Sequence, residues 1–178
     1  CLILFLLFNG YTTYQTISIK QEKKLIVFAI PGQQAAMIHL YGNGYWLNDE
    51  LKPEDKLATY NVSGYNLKHA IQIGQDCPLA HFNLEDHYSI YQVEDKKIIS
   101  LQKLPQYEFK KPIAADYLII GHNAVRSLAV LEKYFTPGEI ILDSSNFKWL
   151  TDRLTTEASN KNILIHSVTS SGAKVIDL

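Results

Sequence analysis

Ala115-Asp116-Tyr117-Leu118-Ile119-Ile120-Gly121-His122-Asn123, followed by Ser127 to Phe135 and then Glu139-Ile140-Ile141-Leu142-Asp143-Ser144-Ser145-Asn146, decides the fold class. Asp116 to Ile120 reads as a short buried strand that breaks at Gly121-His122-Asn123. Ser127 to Phe135 carries Leu128, Leu131 and Phe135 at helical spacing, with Thr136-Pro137-Gly138 as its stop. Glu139 to Leu142 is the next strand, and Asp143-Ser144-Ser145-Asn146 offers N-caps for a helix running to about Ala158. Ile163 to His166 is a further strand, and Gly172 turns the chain into Ala173 to Leu178. A β-α-β-α-β-β order predicts parallel strands joined by crossover helices.

Upstream the pattern changes. Leu25 to Ile30 is a dense β-type run ending at Pro31-Gly32, and Ala35 to Tyr41 reads as its partner. Gly42-Asn43-Gly44 is the expected turn into a third strand, Tyr45 to Leu47, giving an antiparallel meander. Leu67 to Ile73 has helical character, and Tyr88 to Val93 with Lys97 to Gln102 forms a hairpin around Glu94-Asp95-Lys96. A strand-rich first half and a βαβα second half predict an α/β domain, α+β being the alternative, with helices packed on sheet.

Composition bounds the function. The 178 residues are 47% hydrophobic and 20% charged, enough apolar material for one ordinary core. With 17 Lys+Arg against 18 Asp+Glu, the formal net charge of -1 excludes a strongly basic nucleic-acid glue. Arg126 and Arg153 are the only arginines, and Cys1 and Cys77 form no paired motif. Cys1 to Phe8 is one unbroken apolar run, far short of the roughly 20 residues that span a bilayer. It fits a buried strand or helix edge. It also fits the last turns of a transmembrane helix, with Tyr11 and Tyr14 as an interfacial belt, and residues 1–24 are read in that second way. Residues 25–178 form the globular domain.

Chemistry is sparse. The six histidines, His39, His69, His81, His87, His122 and His166, make no H-E-x-x-H or H-x-H-x-D-H spacing. His81 to Asp86-His87 ends in the D-H pair but lacks a middle ligand. His122 is better placed, where a parallel strand ends, and Asp143 to Ser145 occupy the equivalent end of the next strand; active sites of such sheets collect there. The same residues serve equally as turn and cap. His39 and His166 sit inside apolar strands and are read as packed or hydrogen-bonded. No G-x-S-x-G elbow or phosphate loop exists. Lys96, Lys97, Lys103, Lys110 and Lys111 are modest basic clusters, suited either to nucleic acid or to guarding a sheet edge.

The order of motifs resembles the metallo-β-lactamase-like domain of the ComEC family, the inner-membrane channel of natural competence. Ala29-Ile-Pro-Gly-Gln-Gln-Ala35-Ala-Met-Ile38 lines up with its L-D-V-G-Q-G-D-A-I-L opening, and Tyr45 to Asp49 with the strand ending in I-D-T-G. Ala115 to Asn123 is similar to A-D-V-L-K-V-G-H-H, Phe135 to Leu142 to F-L-x-x-V-K-P-x-Y-A-V-I, and Ile163 to Ile176 to the closing hairpin. The match looks closest to shortened Bacteroidetes-type versions. It implies a bacterial inner-membrane protein, with this domain on one side of the membrane and the transmembrane channel portion of the same polypeptide as partner. DNA is the second implied partner.

Departures from the pattern bear on mechanism. The family's H-x-D-x-D-H signature has no counterpart, the second His of G-H-H is Asn123, and the Asp of G-Q-G-D-A is Ala35. A binuclear hydrolase needs its ligands together to activate a bridging water. The resemblance therefore implies a non-catalytic domain without cofactor, with Asp49, His122, Asn123 and Asp143 as a vestigial site, acting in DNA binding, guidance or channel assembly. One alternative is an active Mn- or Zn-dependent nuclease using His81, Asp86, His87 and His122, with Asp49 as a further ligand. The other is a structural cap that makes no DNA contact.

Overall fold

The computed structural model describes residues 2–19, 22–47, 56–69, 71–74, 78–79, 81–84 and 87–178. Helix α1 (Leu2–Ile19) precedes a meander of β1 (Lys23–Val27), β2 (Ala36–Leu40) and β3 (Asn43–Trp46), then α2 (Lys56–His69) and the short β4 (Gln72–Ile73). A second run holds β5 (His81–Leu84), β6 (Tyr88–Val93), β7 (Lys96–Leu101) and β8 (Ile113–Ile120). The chain closes with α3 (Leu128–Leu131), β9 (Phe135–Leu142), α4 (Lys148–Lys161), β10 (Leu164–Ser167), α5 (Val168–Ser171) and β11 (Lys174–Asp177). The α/β expectation holds.

Two sheets form. One has the order β11-β1-β2-β3-β4 and the other β10-β9-β8-β7-β6-β5. In the second, β7, β8, β9 and β10 run parallel, as the alternating strand and helix order requires. β11 leaves that sheet and pairs antiparallel with β1, Leu25 opposite Ile176. The faces explain the stacking. Leu25, Val27 and Ile38 from one sheet pack with Ile98, Ile119 and Ile141 from the other. Ile99, Leu118, Ile120 and Ile140, on the reverse face of the second sheet, are covered by α3 and α4 through Leu128, Leu150 and Leu154. Ile26, Phe28 and Met37, on the reverse face of the first, pack with Val62 and Tyr65 of α2. Period-two alternation thus feeds two cores per sheet, and the result is an α/β/β/α sandwich.

Several local expectations are corrected. The β2–β3 turn is Tyr41-Gly42, one residue earlier than Gly42-Asn43-Gly44; their φ values of 53° and 85° give the mirror-image turn that matches strand twist. The helix expected over Leu67 to Ile73 lies upstream as α2, and Gln72–Ile73 is instead a strand beside β3. The Ser127 to Phe135 helix is only Leu128–Leu131, because Phe135 is a fully buried strand residue packed edge-on against Tyr88 and Phe109. Pro137 and Gly138 do not stop a helix; they lie within β9. β10 pairs only from Glu139 onward, so Pro137 sits where its missing N–H costs no ladder bond to that neighbour. A Cβ on Gly138 would stand 3.0 Å from the Asp116 carbonyl oxygen, so β8 approaches too closely for a side chain there.

α1 exposes Ile3, Leu4, Phe5, Leu6, Leu7 and Phe8 on all sides, with Tyr11 and Tyr14 also exposed. No helix among the described residues is long and apolar enough to cross a membrane.

Candidate functional site

Parallel pairing places Leu101, Ile120, Leu142 and Ser167 side by side at the carboxyl ends of β7, β8, β9 and β10. The residues that follow each strand therefore share one edge of the sandwich, the edge where ligands collect in such sheets. His122 and Asn123 come from β8, and Asp143 with Ser144, Ser145 and Asn146 comes from β9. The first sheet reaches the same edge through Pro31-Gly32-Gln33-Gln34, since the Gly32 N–H donates to the Ser144 carbonyl at 3.1 Å. Three of the four vestigial positions read from sequence are thus neighbours. The fourth, Asp49, lies outside the described residues, as does Asp86.

Within the cluster many of the polar atoms bond one another. Oδ1 of Asp143 accepts from the Ser145 N–H at 2.9 Å and from its hydroxyl at 2.5 Å. Ser145 Oγ in turn accepts the His122 N–H at 2.7 Å. Asn146 donates from Nδ2 to the Ile120 carbonyl at 2.6 Å and accepts the Asn123 N–H at 2.9 Å. Asn123 returns the favour across the gap, its Oδ1 accepting the Phe147 N–H at 2.7 Å. The two bonds at Asn123, its N–H donating to Asn146 Oδ1 and its Oδ1 accepting the Phe147 N–H, form a clip that fixes the start of α4 to the end of β8. It replaces the expected side-chain N-cap, for the cap residue is Phe147. His122 and Asn123 have φ values of 50° and 57°, a left-handed pair held by those bonds. A Cβ on Gly121 would meet Asp143 Oδ2 at 2.6 Å and Gln34 Nε2 at 2.7 Å, so a buried carboxylate and a buried amide close on that α-carbon. Sequence reasoning missed Gln34 as a site residue. Its signal was a pair of glutamines at a turn inside an otherwise apolar run.

The remaining candidates scatter. His81 lies opposite Tyr91 in the β5–β6 pair and stacks on that ring, centroids 5.9 Å apart, with Nδ1 3.2 Å from the Leu79 carbonyl oxygen. His87 precedes β6 at the other end of the same pair, about 13 Å along the strand from His81. It does reach the carboxyl edge, where its carbonyl accepts the N–H groups of Gln102 and Lys103 at 2.8 and 2.9 Å. Yet it stands two strand spacings, about 10 Å, from the end of β8. No group of three or more His, Cys, Asp or Glu among the described residues is placed to hold a metal ion. Among the described residues, the groups next to Asp143 are the Ser145 hydroxyl and the Asn146 and Gln34 amides, a set short of the carboxylates and imidazoles that a binuclear metal centre takes. Of the five lysines, Lys96 is held between Asp95 at 3.5 Å and Asp116 at 3.6 Å, whose charges, Asp95 first, raise its pKa. Lys97 is anchored by its N–H to Asp116 at 2.8 Å, also at the far end of the sheet. Lys103, Lys110 and Lys111 are exposed on the connection after the carboxyl end of β7.

A second polar cluster, unanticipated, lies at the opposite end, where the chain enters β1. Glu22 Oε2 is 2.9 Å from Lys24 Nζ, 3.1 Å from His69 Nδ1 and 3.9 Å from Nδ1 of the fully buried His39. Burial pulls His39 below its ordinary pKa, Glu22 opposes this, and His69 and Lys24 reinforce it. Burial would raise Glu22, but Lys24 and His69 outweigh it and hold the carboxyl low. Tyr65 stacks on His69 at 4.3 Å, and burial, followed by the Glu22 and Asp177 charges, pushes its hydroxyl up to about 12. His166 lies apart, its Nε2 bonded with the Gly172 carbonyl at 3.0 Å.

The family model described as the ComEC C-terminal domain matches residues 25–178. No curated protein and no solved structure matches the chain.

Proposed function

Since this chain belongs to the ComEC C-terminal domain family, which serves DNA uptake in competence, we propose that it is a non-catalytic domain acting in DNA guidance or channel assembly. The observation that carries this reading is the engagement of the carboxyl-edge cluster. The Asn that stands where the family pattern has a second His caps α4, and the Asp143 oxygen Oδ1 holds the loop that bears Ser145. Groups used as structural clips are not presented to a metal or to a scissile phosphate. A degenerate metallo-β-lactamase-like fold agrees with the α/β/β/α layering and with the meeting of the Gly32-Gln33-Gln34 turn and the Gly121-His122-Asn123 turn at one edge. The apolar first turns of α1 support a membrane attachment, and with it the channel portion of the same polypeptide as partner.

Elemental analysis after incubation with Mn²⁺ and Zn²⁺ tests the non-catalytic reading. The expected result is no metal above background, together with no cleavage of single- or double-stranded DNA. Near-stoichiometric metal that disappears in His122→Ala and His87→Ala would establish the nuclease alternative. A salt-sensitive DNA affinity lost on neutralising Lys103, Lys110 and Lys111 would favour guidance over assembly, and the absence of any such affinity would favour assembly.

A further inference from the structure

Helix α2 is held to the first sheet by few apolar contacts. Among its described side chains Val62 alone is buried, and Tyr65 and His69 are partly so. Val62 and Tyr65 lie on Ile26, Phe28 and Met37, with the Tyr65 ring edge-on to Phe28 at 5.9 Å. The last turn of the helix rests on titrating groups instead. His69 Nδ1 is 3.1 Å from Glu22 Oε2, and its ring stands edge-on to that of His39, centroids 6.4 Å apart. His39 is fully buried, and neither of its ring nitrogens has a hydrogen-bond partner among the described residues. An imidazole so placed is tolerated as the neutral ring and penalised as the cation.

The groups facing His39 offer an added proton no counter-ion of its own. β1 contributes Lys24, its opposite number across the β1–β2 pair, and β3 contributes Gly44, which has no side chain. α2 contributes His69 and, stacked on it, Tyr65. The Glu22 carboxylate is 3.9 Å from His39 but already holds Lys24 at 2.9 Å and His69 at 3.1 Å. Asp177 of β11 is largely exposed and lies 3.9 Å from Lys24. A protonated His39 would be a further cation on one shared carboxylate, under a helix that keeps water away.

We propose that α2 is a pH-sensitive strap: proton uptake by His39 and undocking of α2 are one linked event, so acidification frees the helix and uncovers the outer face of the first sheet around Ile26, Phe28 and Met37. The docked form binds the proton more weakly than the undocked form, in which the ring meets water and recovers its ordinary 6.5. Docking is therefore at full strength above that value, and its equilibrium constant falls about tenfold for each pH unit below it. Glu22 adds to the effect only below its ordinary 4.5.

Amide exchange of the full 178-residue chain between pH 7 and pH 5, corrected for the intrinsic effect of pH on exchange, tests this. The amides of residues 62–69 should exchange through a smaller opening than those of β8 and β9, with protection falling about tenfold per pH unit below about 6. In His39→Gln the protection of α2 should no longer depend on pH over that range. Equal protection in α2 and β8 would mean that the helix opens only with the whole domain, and the strap would be wrong. A slope that survives in His39→Gln and vanishes in His69→Gln would put the proton on the helix's own imidazole and overturn the proposal. Should His39→Gln fail to fold, the ring carbon shifts of His39 in the parent decide. Proton uptake in step with the loss of α2 protection supports the strap, and a charged His39 beneath a protected α2 overturns it.

Discussion

A single buried imidazole illustrates what the residue scale decides. His39 interrupts an apolar strand, and that pattern alone marks it as packed rather than catalytic; the structure buries it completely. What the pattern hides is its company, because Glu22 and His69 are brought to it by the sheet edge and the end of α2. The consequence is a pH dependence with a defined sign. Above the ordinary His value of 6.5, His39 is neutral whether folded or unfolded, and its packing contributes in full. As pH falls below that value, the unfolded chain takes up the proton first, since the folded pKa is lower, and stability is lost. Glu22 has the same sign but acts only as pH falls below its ordinary 4.5. Urea unfolding between pH 7 and pH 5 therefore isolates the histidine. The expected outcome is falling stability in the parent and a flatter profile in His39→Leu. An undiminished slope in that variant would assign the effect elsewhere. At the same scale Asp143, His122 and Asn123 were legible as strand-end residues, whereas Gln34 was not, because its neighbours come from a different sheet.

Among elements, the β8–β9–α4 unit was read almost in register, since parallel strands buried on both faces announce themselves as continuous apolar runs. Its errors share one cause. Leu128, Leu131 and Phe135 have helical spacing, but Phe135 is claimed by an aromatic core that no local window contains. Pro137-Gly138 looks like punctuation and is instead a close approach between strands. The N-cap expectation failed for a related reason: Asp143 to Asn146 turn inward, and the helix start is held from outside by Asn123. That clip sets the prediction for this scale. Asn146→Ala removes the donor to the Ile120 carbonyl and the acceptor of the Asn123 N–H, leaving buried partners unsatisfied, and should cost about 1–3 kcal/mol. Asn123→His restores the family's second histidine yet breaks the bond to the Phe147 N–H. Thermal unfolding should place both variants below the parent, and the His variant should gain no bound Zn²⁺ by elemental analysis. A more stable or metal-loaded Asn123→His protein would mean that the clip is incidental and the metal site recoverable.

At the scale of the whole molecule the decisive contact is the return of β11 to β1. Nothing in residues 173–178 announces a partner some 150 positions away. Sequence order instead suggested a last strand beside Ile163 to His166, which is why two sheets were not foreseen. The pairing of Lys24 to Val27 with Lys174 to Asp177 gives β1 its second neighbour, and the Leu178 N–H closes on the Lys23 carbonyl at 2.9 Å. Without it β1 becomes an edge, and the inter-sheet core loses Ile176, which lies opposite Leu25, and Leu178. α1 stands in the opposite position, since its apolar side chains from Ile3 to Phe8 are exposed. The two termini should therefore differ sharply in what they contribute. Deleting residues 1–21 should leave the unfolding midpoint in urea unchanged, because few buried contacts are lost. Deleting residues 173–178 should lower stability by about 1–3 kcal/mol, the worth of two partly buried aliphatic side chains, Ile176 and Leu178, at less than the full-burial value each. A destabilised N-terminal deletion would show that α1 packs on the sandwich, and with that packing the apolar helix would no longer need lipid to cover it. A tolerant C-terminal deletion would mean that β1 and β2 hold the first sheet on the second without closure, so that the order of the sheets is set by the meander alone.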